Sequence, residues 1–301
     1  MRFAVTGGAG FVGSYLTKLL IKEGHDVIVI DNMHTGKKEN LDGIIEKIEF
    51  HKLDIRNVGE LEKKIRDVDG IFHEAALTIV QESFTKIDEY NDVNVKGTEN
   101  IFKIAEKHGI KVVYASSSSI YGNTETIPIL ENNERNPINP YGQTKLEDEL
   151  LAEKYSHEGV EIIGLRYFNI FGKGQTGSYA GVITKFLNRL NEKKPPIIFG
   201  DGSQIRDFIF VEDIAKANLA AMTSKTKFGF FNIGTGKTTS ILQLAKLLIK
   251  LYNLSMHPEF AIPLQGDVQK SQADIKNAQQ MLNWKYKTEL NEGLEKMLKT
   301  V

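Results

Sequence analysis

The stretch Arg2-Phe-Ala-Val-Thr-Gly-Gly-Ala-Gly-Phe-Val-Gly13 decides the fold of this chain. A short apolar strand runs into a glycine turn that spans Gly7 to Gly13, and an apolar helical pattern follows at once. A second strand, Val27–Ile30, then ends at Asp31. Strand, glycine turn, helix, strand and acid in this order are typical of the dinucleotide-binding βαβ unit. Glycines let the backbone approach a pyrophosphate, and the helix N-terminus offers N–H groups and a positive dipole end.

Asp31 indicates which dinucleotide binds. Its carboxylate is expected to accept hydrogen bonds from the adenosine ribose hydroxyls, and it would repel a 2′-phosphate, which needs a basic partner. Lys37 and Lys38 follow closely and could supply such a partner, or they could belong to a solvated loop. We therefore predict NAD, rather than NADP, as the cofactor.

Tyr141 and Lys145 are spaced by one helical turn, so on a helix both side chains project from one face. A free phenol, with a reference pKa near ~10, is a poor base at neutral pH. A nearby ammonium group stabilises the phenolate form. The pair is therefore interpreted as a proton-transfer centre beside a hydride acceptor, although the spacing alone also fits a solvated helix face.

A serine cluster follows a predicted strand in the middle of the chain. Lys111–Ala115 has the apolar pattern of a strand, and Ser116–Ser119 come directly after it. Ligands of open parallel sheets bind beyond the carboxyl ends of the strands. The serines could place a hydroxyl on a substrate there, or they could simply form a turn.

Length and composition exclude several classes of protein. The chain has 301 residues, of which 41% are hydrophobic and 26% charged, which is ordinary for a globular protein. Its net charge of −1 gives no reason to expect nucleic acid or an anionic membrane as partner. It has no cysteine, no apolar run long enough for a membrane span and no room for a signal peptide before the first strand. We expect a cytoplasmic location.

Eight motifs occur in one order along nearly the whole chain. They are Gly7-x-x-Gly10-x-x-Gly13, Asp54-Ile55-Arg56, His73-Glu-Ala-Ala76, Asn94-Val-Lys-Gly97-Thr98, Ser116-Ser-Ser-Ser-Ile-Tyr-Gly122, Tyr141-x-x-x-Lys145, Arg166-Tyr-Phe-Asn169 and Gly200-Asp-Gly-Ser-Gln-Ile-Arg-Asp207. In this order they resemble the extended short-chain dehydrogenase/reductases. The branch that looks most similar is that of the nucleotide-sugar 4-epimerases of the UDP-glucose 4-epimerase type.

The resemblance implies a reaction and a catalytic set. Tyr141 would remove a sugar hydroxyl proton while hydride leaves C4 for NAD⁺. The 4-keto sugar would then turn over and take the hydride back on its other face. Ser117 would hydrogen-bond the reacting oxygen, and Lys145 would assist the phenol and bind the nicotinamide ribose. Because net redox is zero, NAD could stay bound throughout.

The resemblance also implies two sets of binding residues. The cofactor set is Gly7, Gly10, Phe11, Val12, Gly13, Asp31, Asn32, Asp54, Ile55, Ala75, Ala76, Asn94, Tyr141, Lys145 and Tyr167. The substrate set is Ser117, Ser119, Asn169, Arg206, Asp267 and Ser271. In this second set Asn169 and Arg206 would bind the pyrophosphate of the nucleotide sugar, and Asp267 its ribose. The alternative for Arg206 is a surface ion pair with Asp207 or Asp201.

Several positions bear on the class of reaction. Ser118 and Ser119 stand where related nucleotide-sugar 4,6-dehydratases carry an Asp-Glu pair, and hydroxyls cannot replace that acid and base in an elimination of water. A dehydratase is therefore disfavoured, while a reductase or a non-catalytic NAD-binding protein remains an alternative. Leu264, in place of a second pyrophosphate-binding arginine, and Thr78, in place of a lysine near the cofactor, weaken a narrow galactose-pathway assignment.

Ser271 bears on the sugar. It aligns with a position where narrow UDP-glucose epimerases have a tyrosine against C2. A small residue would leave space for an N-acetyl group, unless another side chain closes the pocket.

The expected architecture is an α/β Rossmann-type sheet with a smaller C-terminal lobe. We predict an NAD-binding domain over residues 1–170, to which some later chain returns, and a mainly nucleotide-sugar-binding lobe over 171–301. The glycine-rich run Gly172–Gly177 marks a flexible crossing between them. Long helices are predicted at about 89–107 and 142–157. In the family the corresponding helices form a four-helix bundle across a homodimer, although they could also simply cover the sheet of a monomer.

Other candidate polar residues are interpreted as structural. His73, at a strand end, is expected to make a structural hydrogen bond, and Asp213 is expected to cap the helix that it begins. None of the seven histidines shows metal-ligand spacing, so no metal site is predicted.

Overall fold

The computed structural model describes residues 1–175 and 181–298. The strands in these residues are β1 Arg2–Thr6, β2 Asp26–Asp31, β3 Glu49–Lys52, β4 Gly70–His73, β5 Lys111–Ser117, β6 Ile162–Tyr167, β7 Asn169–Phe171, β8 Ile197–Phe199, β9 Ile205–Arg206, β10 Phe208–Phe210, β11 Phe228–Ile233, β12 Thr239–Ser240 and β13 Glu259–Ala261. The α-helices are α1 Phe11–Lys22, α2 Val58–Ile65, α3 Val80–Ser83, α4 Ile87–Tyr90, α5 Gly97–His108, α6 Pro140–His157, α7 Val182–Asn191, α8 Val211–Thr223, α9 Ile241–Leu251, α10 Lys276–Met281 and α11 Leu290–Leu298. Short 3-10 helices cover Lys38–Leu41, Ile45–Lys47 and Ser118–Tyr121.

Seven of the described strands form one parallel sheet in the order β11-β6-β5-β4-β1-β2-β3. The strand order reverses between β1 and β4, where successive connections run to opposite sides. In open parallel sheets this switch point opens a crevice at the carboxyl ends of the strands. The predicted Rossmann-type fold is confirmed, and the glycine turn after β1 and the serines at the end of β5 both lie at this carboxyl edge.

The sheet is buried on both faces, which explains its nearly continuous apolar strands. Phe3 and Val5 of β1 belong to one apolar cluster, while Ala4 between them belongs to another, and all three side chains are fully buried. Helices α1 and α8 cover the first face, and α2, α5 and α6 cover the second. Each large apolar side chain buried in this way contributes about 1.5–3 kcal/mol. The two layers of helices fix the loops at the carboxyl edge.

The chain after residue 170 builds smaller units and also returns to the sheet. Strand β7 pairs with β10, β9 with β12, and β8 with β13, and a separate apolar cluster joins α7, α9 and α11. Strand β11 then pairs with β6 at the edge of the main sheet. The division into domains at residues 1–170 and 171–301 therefore remains a prediction. Thr176 and Gly177 of the glycine-rich crossing lie outside the described residues.

One of the two predicted long helices is interrupted. The helix expected at about 89–107 is made of α4, a π-helical segment over Asn91–Lys96, and α5. The second prediction, at 142–157, is confirmed by α6, whose first turn is capped by the side chain of Asn139, which accepts from the Gly142 N–H at 2.8 Å. Among the residues that the structure describes, no helix combines the length and apolar character that a membrane span needs.

The prediction for Asp213 was wrong. Asp213 lies in the first turn of α8, but its carboxylate accepts hydrogen bonds from the backbone N–H groups of Lys287 (3.0 Å) and Thr288 (2.8 Å). The side chain is fully buried. It therefore anchors the segment that leads into α11 rather than its own helix.

Candidate active site

The glycine turn forms a cradle from which side chains are excluded. Gly7 has φ +69°, and a Cβ there would lie 2.8 Å from the backbone nitrogen of Ala75. A Cβ at Gly13 would overlap the Gly7 carbonyl group. Helix α1 begins at Phe11 and Val12, and Gly10 at its N-cap brings no side chain to its first N–H groups. N–H donors that no side chain caps, on a backbone free of Cβ atoms, fit the pyrophosphate of a dinucleotide.

Acidic side chains lie beside this cradle. Asp31, at the end of β2, accepts from the N–H groups of Ala9 (3.0 Å) and Met33 (2.8 Å). Burial raises the pKa of Asp31, and these backbone hydrogen bonds oppose the rise. Asn32 donates to Asp54 Oδ2 at 3.0 Å. The position of Asp31 beside the glycine turn is the one expected for a residue that binds the adenosine ribose.

Asp54 has a strong cationic partner. The side chain of Arg56 bonds both Asp54 oxygens at 2.9 Å and holds the pKa of Asp54 well below its usual range. The neighbouring Ile55 packs against Gly97, where a Cβ would come within 2.5 Å of its Cδ1 atom. The Asp54–Ile55 turn is therefore fixed against α5 at the edge of the crevice.

The segment after β4 closes the other side of the cradle. His73 is buried, and its ring nitrogens hydrogen-bond with the hydroxyls of Thr6 (2.6 Å) and Thr98 (2.9 Å). Burial lowers the pKa of His73 to about 3, so the ring is neutral. The predicted structural role of His73 is confirmed. Ala75 and Ala76 follow, half-buried, with Ala75 against Gly7.

Asn94 is held inside the protein. Its side chain exchanges two hydrogen bonds with the backbone of Leu77, at 2.8 and 3.0 Å, and donates to the Thr144 hydroxyl at 3.1 Å. It is fully buried. These bonds tie the chain after β4 to α6, and a role of Asn94 toward the cofactor stays a prediction.

The serine loop and α6 meet beside the crevice. Ser117 Oγ donates to Ser119 Oγ and accepts from the Ser119 N–H, both at 3.1 Å. A Cβ at Gly142 would lie 2.8 Å from the Ser119 carbonyl oxygen, so the first turn of α6 packs directly on this loop. Tyr141 is half-buried against Leu77 and its apolar neighbours. The predicted catalytic residues are thus brought to one edge of the sheet.

Lys145 lies one turn further into α6 and is almost fully buried. Its ammonium group donates to Asp148 Oδ2 at 3.0 Å. Burial alone would lower the pKa of Lys145, but Asp148, Tyr141 and Glu74 together outweigh it, so the pKa is raised and the lysine is charged. A positive charge held beside Tyr141 is what stabilisation of a phenolate requires.

Sequence reasoning missed a carboxyl group in the centre of the site. The Tyr167 hydroxyl donates to Glu74 Oε1 at 2.8 Å and accepts from Asn218 Nδ2 at 2.7 Å. Burial raises the pKa of Glu74 to about 7, although the Tyr167 hydrogen bond and the charge of Lys145 oppose the rise. The position of Glu74 directly after a buried strand was the available signal.

A buried ion pair behind the serine strand was also missed. Arg166 and Glu149 form two hydrogen bonds, at 2.8 and 2.7 Å, with both side chains essentially inaccessible to solvent. Ser116 Oγ donates to Glu149 Oε1 at 2.7 Å, and Arg135 approaches the other carboxylate oxygen at 3.1 Å. Arg166 also donates to the Tyr121 hydroxyl at 2.7 Å. This network connects β5, β6 and α6 directly behind Ser117.

The predicted substrate residues form a second group. Arg206, at the end of β9, is buried and pairs with Asp267 rather than with Asp201 or Asp207. Burial lowers the pKa of Arg206, and the Asp267 carboxylate opposes this. The two residues predicted to bind the pyrophosphate and the ribose are thus brought together.

The remaining substrate-side residues flank this pair. Asn169 begins β7 and is half-buried, and Leu264 is exposed. Ser271 is buried, and its N–H donates to the Ile205 carbonyl at 3.2 Å. The contact of Ser271 with a sugar stays a prediction.

Comparison with known proteins identifies the family of this chain. Residues 3–234 match the NAD dependent epimerase/dehydratase family, which covers the glycine turn, the serine strand and the Tyr141/Lys145 pair. The chain belongs to this family, as its resemblance to the extended short-chain dehydrogenase/reductases indicated, and the prediction of NAD is confirmed.

Similar proteins act on nucleotide sugars. The UDP-glucose 4-epimerase of Thermotoga maritima, solved with UDP-glucose, is 35% identical, with a TM-score of 0.93 over 99% of this chain and 98% of that one. The UDP-N-acetylglucosamine 4-epimerase of Methanobrevibacter ruminantium M1, solved with UDP-N-acetylmuramic acid, is 33% identical, with a TM-score of 0.93 over 100% and 99%. A UDP-N-acetyl-alpha-D-glucosaminuronate decarboxylase of Bacillus cytotoxicus is 36% identical over 84% of this chain and 81% of its own length.

Proposed function

We propose that this protein epimerises a UDP-sugar, a UDP-hexose or UDP-N-acetylhexosamine, at C4 through a transient 4-keto intermediate. The observation that carries the proposal is the packing of the first turn of α6 on the serine loop, because it places Tyr141 and Ser117 at one edge of the sheet, beside the glycine cradle. The epimerase names of two similar solved structures support it.

Each side chain has a defined task in this reaction. Tyr141 takes the proton of the C4 hydroxyl and later returns it, and Ser117 hydrogen-bonds the same oxygen. The charged Lys145 stabilises the phenolate form of Tyr141 and binds the nicotinamide ribose. Bound NAD supplies the hydride acceptor and donor. Because no proton or hydride is gained overall, the site needs no second acid–base pair.

The serine loop favours epimerisation over elimination of water. Ser118 and Ser119 lie in the 3-10 helix after β5, where a dehydratase needs an acid and a base. Hydroxyl groups cannot supply either at neutral pH. The similarity to a decarboxylase makes decarboxylation an alternative reaction. Oxidation of a UDP-uronic acid at C4 also activates the carboxylate on the neighbouring C5 for loss of CO₂. A reductase or a non-catalytic NAD-binding protein is a further alternative.

Turnover without added cofactor tests the proposal. Purified protein is incubated with UDP-glucose or with UDP-N-acetylglucosamine, and the products are followed by NMR. We expect the C4 epimer to accumulate to equilibrium with no NAD added, and Tyr141→Phe to be inactive in the same assay. Release of CO₂ from a UDP-uronic acid, or consumption of added NADPH, without epimerisation of either sugar would contradict the proposal.

The wider organisation is also proposed. Residues 1–170 form the NAD-binding domain, and 171–301 mainly the nucleotide-sugar-binding lobe. Support comes from the glycine cradle in the first part and the Arg206–Asp267 pair in the second. We further propose a homodimer through α5 and α6, where Leu150 of α6 is exposed, and a cytoplasmic location. Analytical ultracentrifugation and cell fractionation test these two points.

A further inference from the structure

Asp148 is a buried carboxylate that the proposed reaction does not use. Its side chain is fully inaccessible, and it lies 3.0 Å from the ammonium group of Lys145 on the same helix. Burying such a pair is costly unless its geometry is held well. The cost of burying this carboxylate against the proposed catalytic lysine therefore suggests that Asp148 has a functional role.

The ion pair restricts the lysine side chain. Lys145 ends in an ammonium group with three N–H donors on a flexible stem of four carbons. Within residues 1–175 and 181–298, Asp148 is its one hydrogen-bond acceptor. One donor is thus engaged by Asp148, which leaves the other two for Tyr141, whose charge interacts with that of Lys145, and for the nicotinamide ribose that Lys145 is expected to bind.

The surroundings of Asp148 leave Lys145 as its source of positive charge. Asp148 Oδ1 makes no hydrogen bond with any described residue. The Thr98 hydroxyl also stabilises the charged carboxyl group and lowers its pKa, and it bonds to His73, which is neutral. The other titratable groups that act on or face it are Glu147, from α6 itself, and Tyr114, from β5. Glu147 is acidic, and burial keeps the pKa of Tyr114 well above its usual value.

We propose that Asp148 is a positioning residue whose ionised carboxylate fixes the Lys145 ammonium group for Tyr141 and the nicotinamide ribose, and whose protonation releases it. The inference rests on the proposed function. Burial raises the pKa of Asp148 to about 6, and the charge of Lys145 opposes this rise. The carboxylate is therefore present at neutral pH and is lost as the pH falls through about 6, so activity should fall in the same direction.

The pH profile of turnover tests this role. Wild type should lose kcat below about pH 6 with little change in KM. Asp148→Asn should have a kcat about 10- to 100-fold lower at pH 8, because a displaced catalytic group costs factors of this size, and its acid limb near pH 6 should vanish. Asp148→Glu should restore part of the kcat at pH 8 and part of the acid limb. The matched control is Glu147→Gln, which removes one negative charge from the adjacent, half-buried position. It should keep the wild-type kcat at pH 8 and an acid limb, which can move only to lower pH because the Glu147 charge raises the pKa of Asp148.

Two results overturn the inference. One is a wild-type kcat that stays constant down to pH 5. This measurement uses no variant, so it remains decisive even if Asp148→Asn does not fold. The other is an acid limb that persists in Asp148→Asn, because it would belong to another group, such as Glu74 with its pKa of about 7.

A readout without substrate separates this inference from the proposed function. Infrared difference spectra of the NAD-loaded protein between pH 5 and 8 should show a carboxyl band that titrates near pH 6 and is absent in Asp148→Asn. Affinity for NAD⁺ should weaken below pH 6 in wild type but not in that variant. If no UDP-sugar is turned over, the proposed function fails, but these two measurements still test the positioning role of Asp148. Observing both changes supports that role, and the absence of either change overturns it.

Discussion

The Glu149→Gln substitution should destabilise the fold strongly, because it removes a charge from the buried network behind the serine strand. Glu149 is fully buried and receives hydrogen bonds from Arg166, Ser116 and Arg135. The amide keeps the shape of the side chain but replaces one acceptor oxygen with a donor that faces guanidinium N–H groups. Arg166, which is only 2% exposed, would then lack its counter-charge.

The expected magnitude follows from that burial. Removing one partner of a buried ion pair costs about 3–5 kcal/mol, because the other charge remains uncompensated in the interior. Arg166 keeps its hydrogen bonds to Tyr121 and to the Glu131 carbonyl, which favours the lower part of this range. With a urea m-value of about 3 kcal/mol/M, the unfolding midpoint should fall by roughly 1 M.

Urea unfolding followed by circular dichroism measures this loss. The matched control is Glu158→Gln, which removes the same charge from the exposed C-terminal end of α6 and should leave the midpoint unchanged within error. A loss of stability below about 1 kcal/mol for Glu149→Gln, the size typical of an exposed pair, would refute the reasoning. It would mean that water solvates Arg166 in the variant, or that the nearby Glu131 carboxylate takes over as its counter-charge.

Three further predictions concern the cofactor and the reaction. The protein should purify with NAD(H), which is released on denaturation and assayed enzymatically; NADP(H) alone would show that the role of Asp31 is misjudged. Tyr141→Phe should lower kcat by ~10²–10⁴-fold with NAD binding retained, and a loss below about tenfold would assign proton transfer to another group. Wild type should accept UDP-N-acetylglucosamine, and Ser271→Tyr should lower kcat/KM for that sugar far more than for UDP-glucose. Equal effects on both sugars would exclude Ser271 from the C2 pocket.

The parts of the fold that the sequence predicted well are those specified by neighbouring residues. Strand β1, the glycine turn and α1 follow one another without a gap, so periodicity and glycine spacing were sufficient. The same holds for β5 and α6. The π-helical segment Asn91–Lys96 was not predictable in this way, because its apolar pattern resembles that of an α-helix. Asn94 within it is bonded to Leu77 and Thr144, and these contacts exist only in the folded chain.

The candidate site shows the same division. Tyr141 and Lys145 could be predicted because their residue types and spacing suggest the chemistry, and Ser117 was predicted from the resemblance to the family. Glu74 could not, because an acid after a strand has no fixed meaning until Tyr167 and Asn218 are placed beside it. Its raised pKa is a product of burial, which periodicity does not measure.

The partner of Arg206 shows why closeness in sequence is a poor guide to ion pairs. Asp207 and Asp201 were the expected alternatives because they are its neighbours in the chain. Asp207 is instead fully buried and accepts from the backbone N–H groups of residues 235, 236 and 273, and Asp201 accepts from residue 203. Both carboxylates are therefore engaged in shaping turns. A parallel bridge between Ile205 and Lys270 brings Asp267 to the end of β9, so the pairing depends on a strand contact that no local pattern encodes.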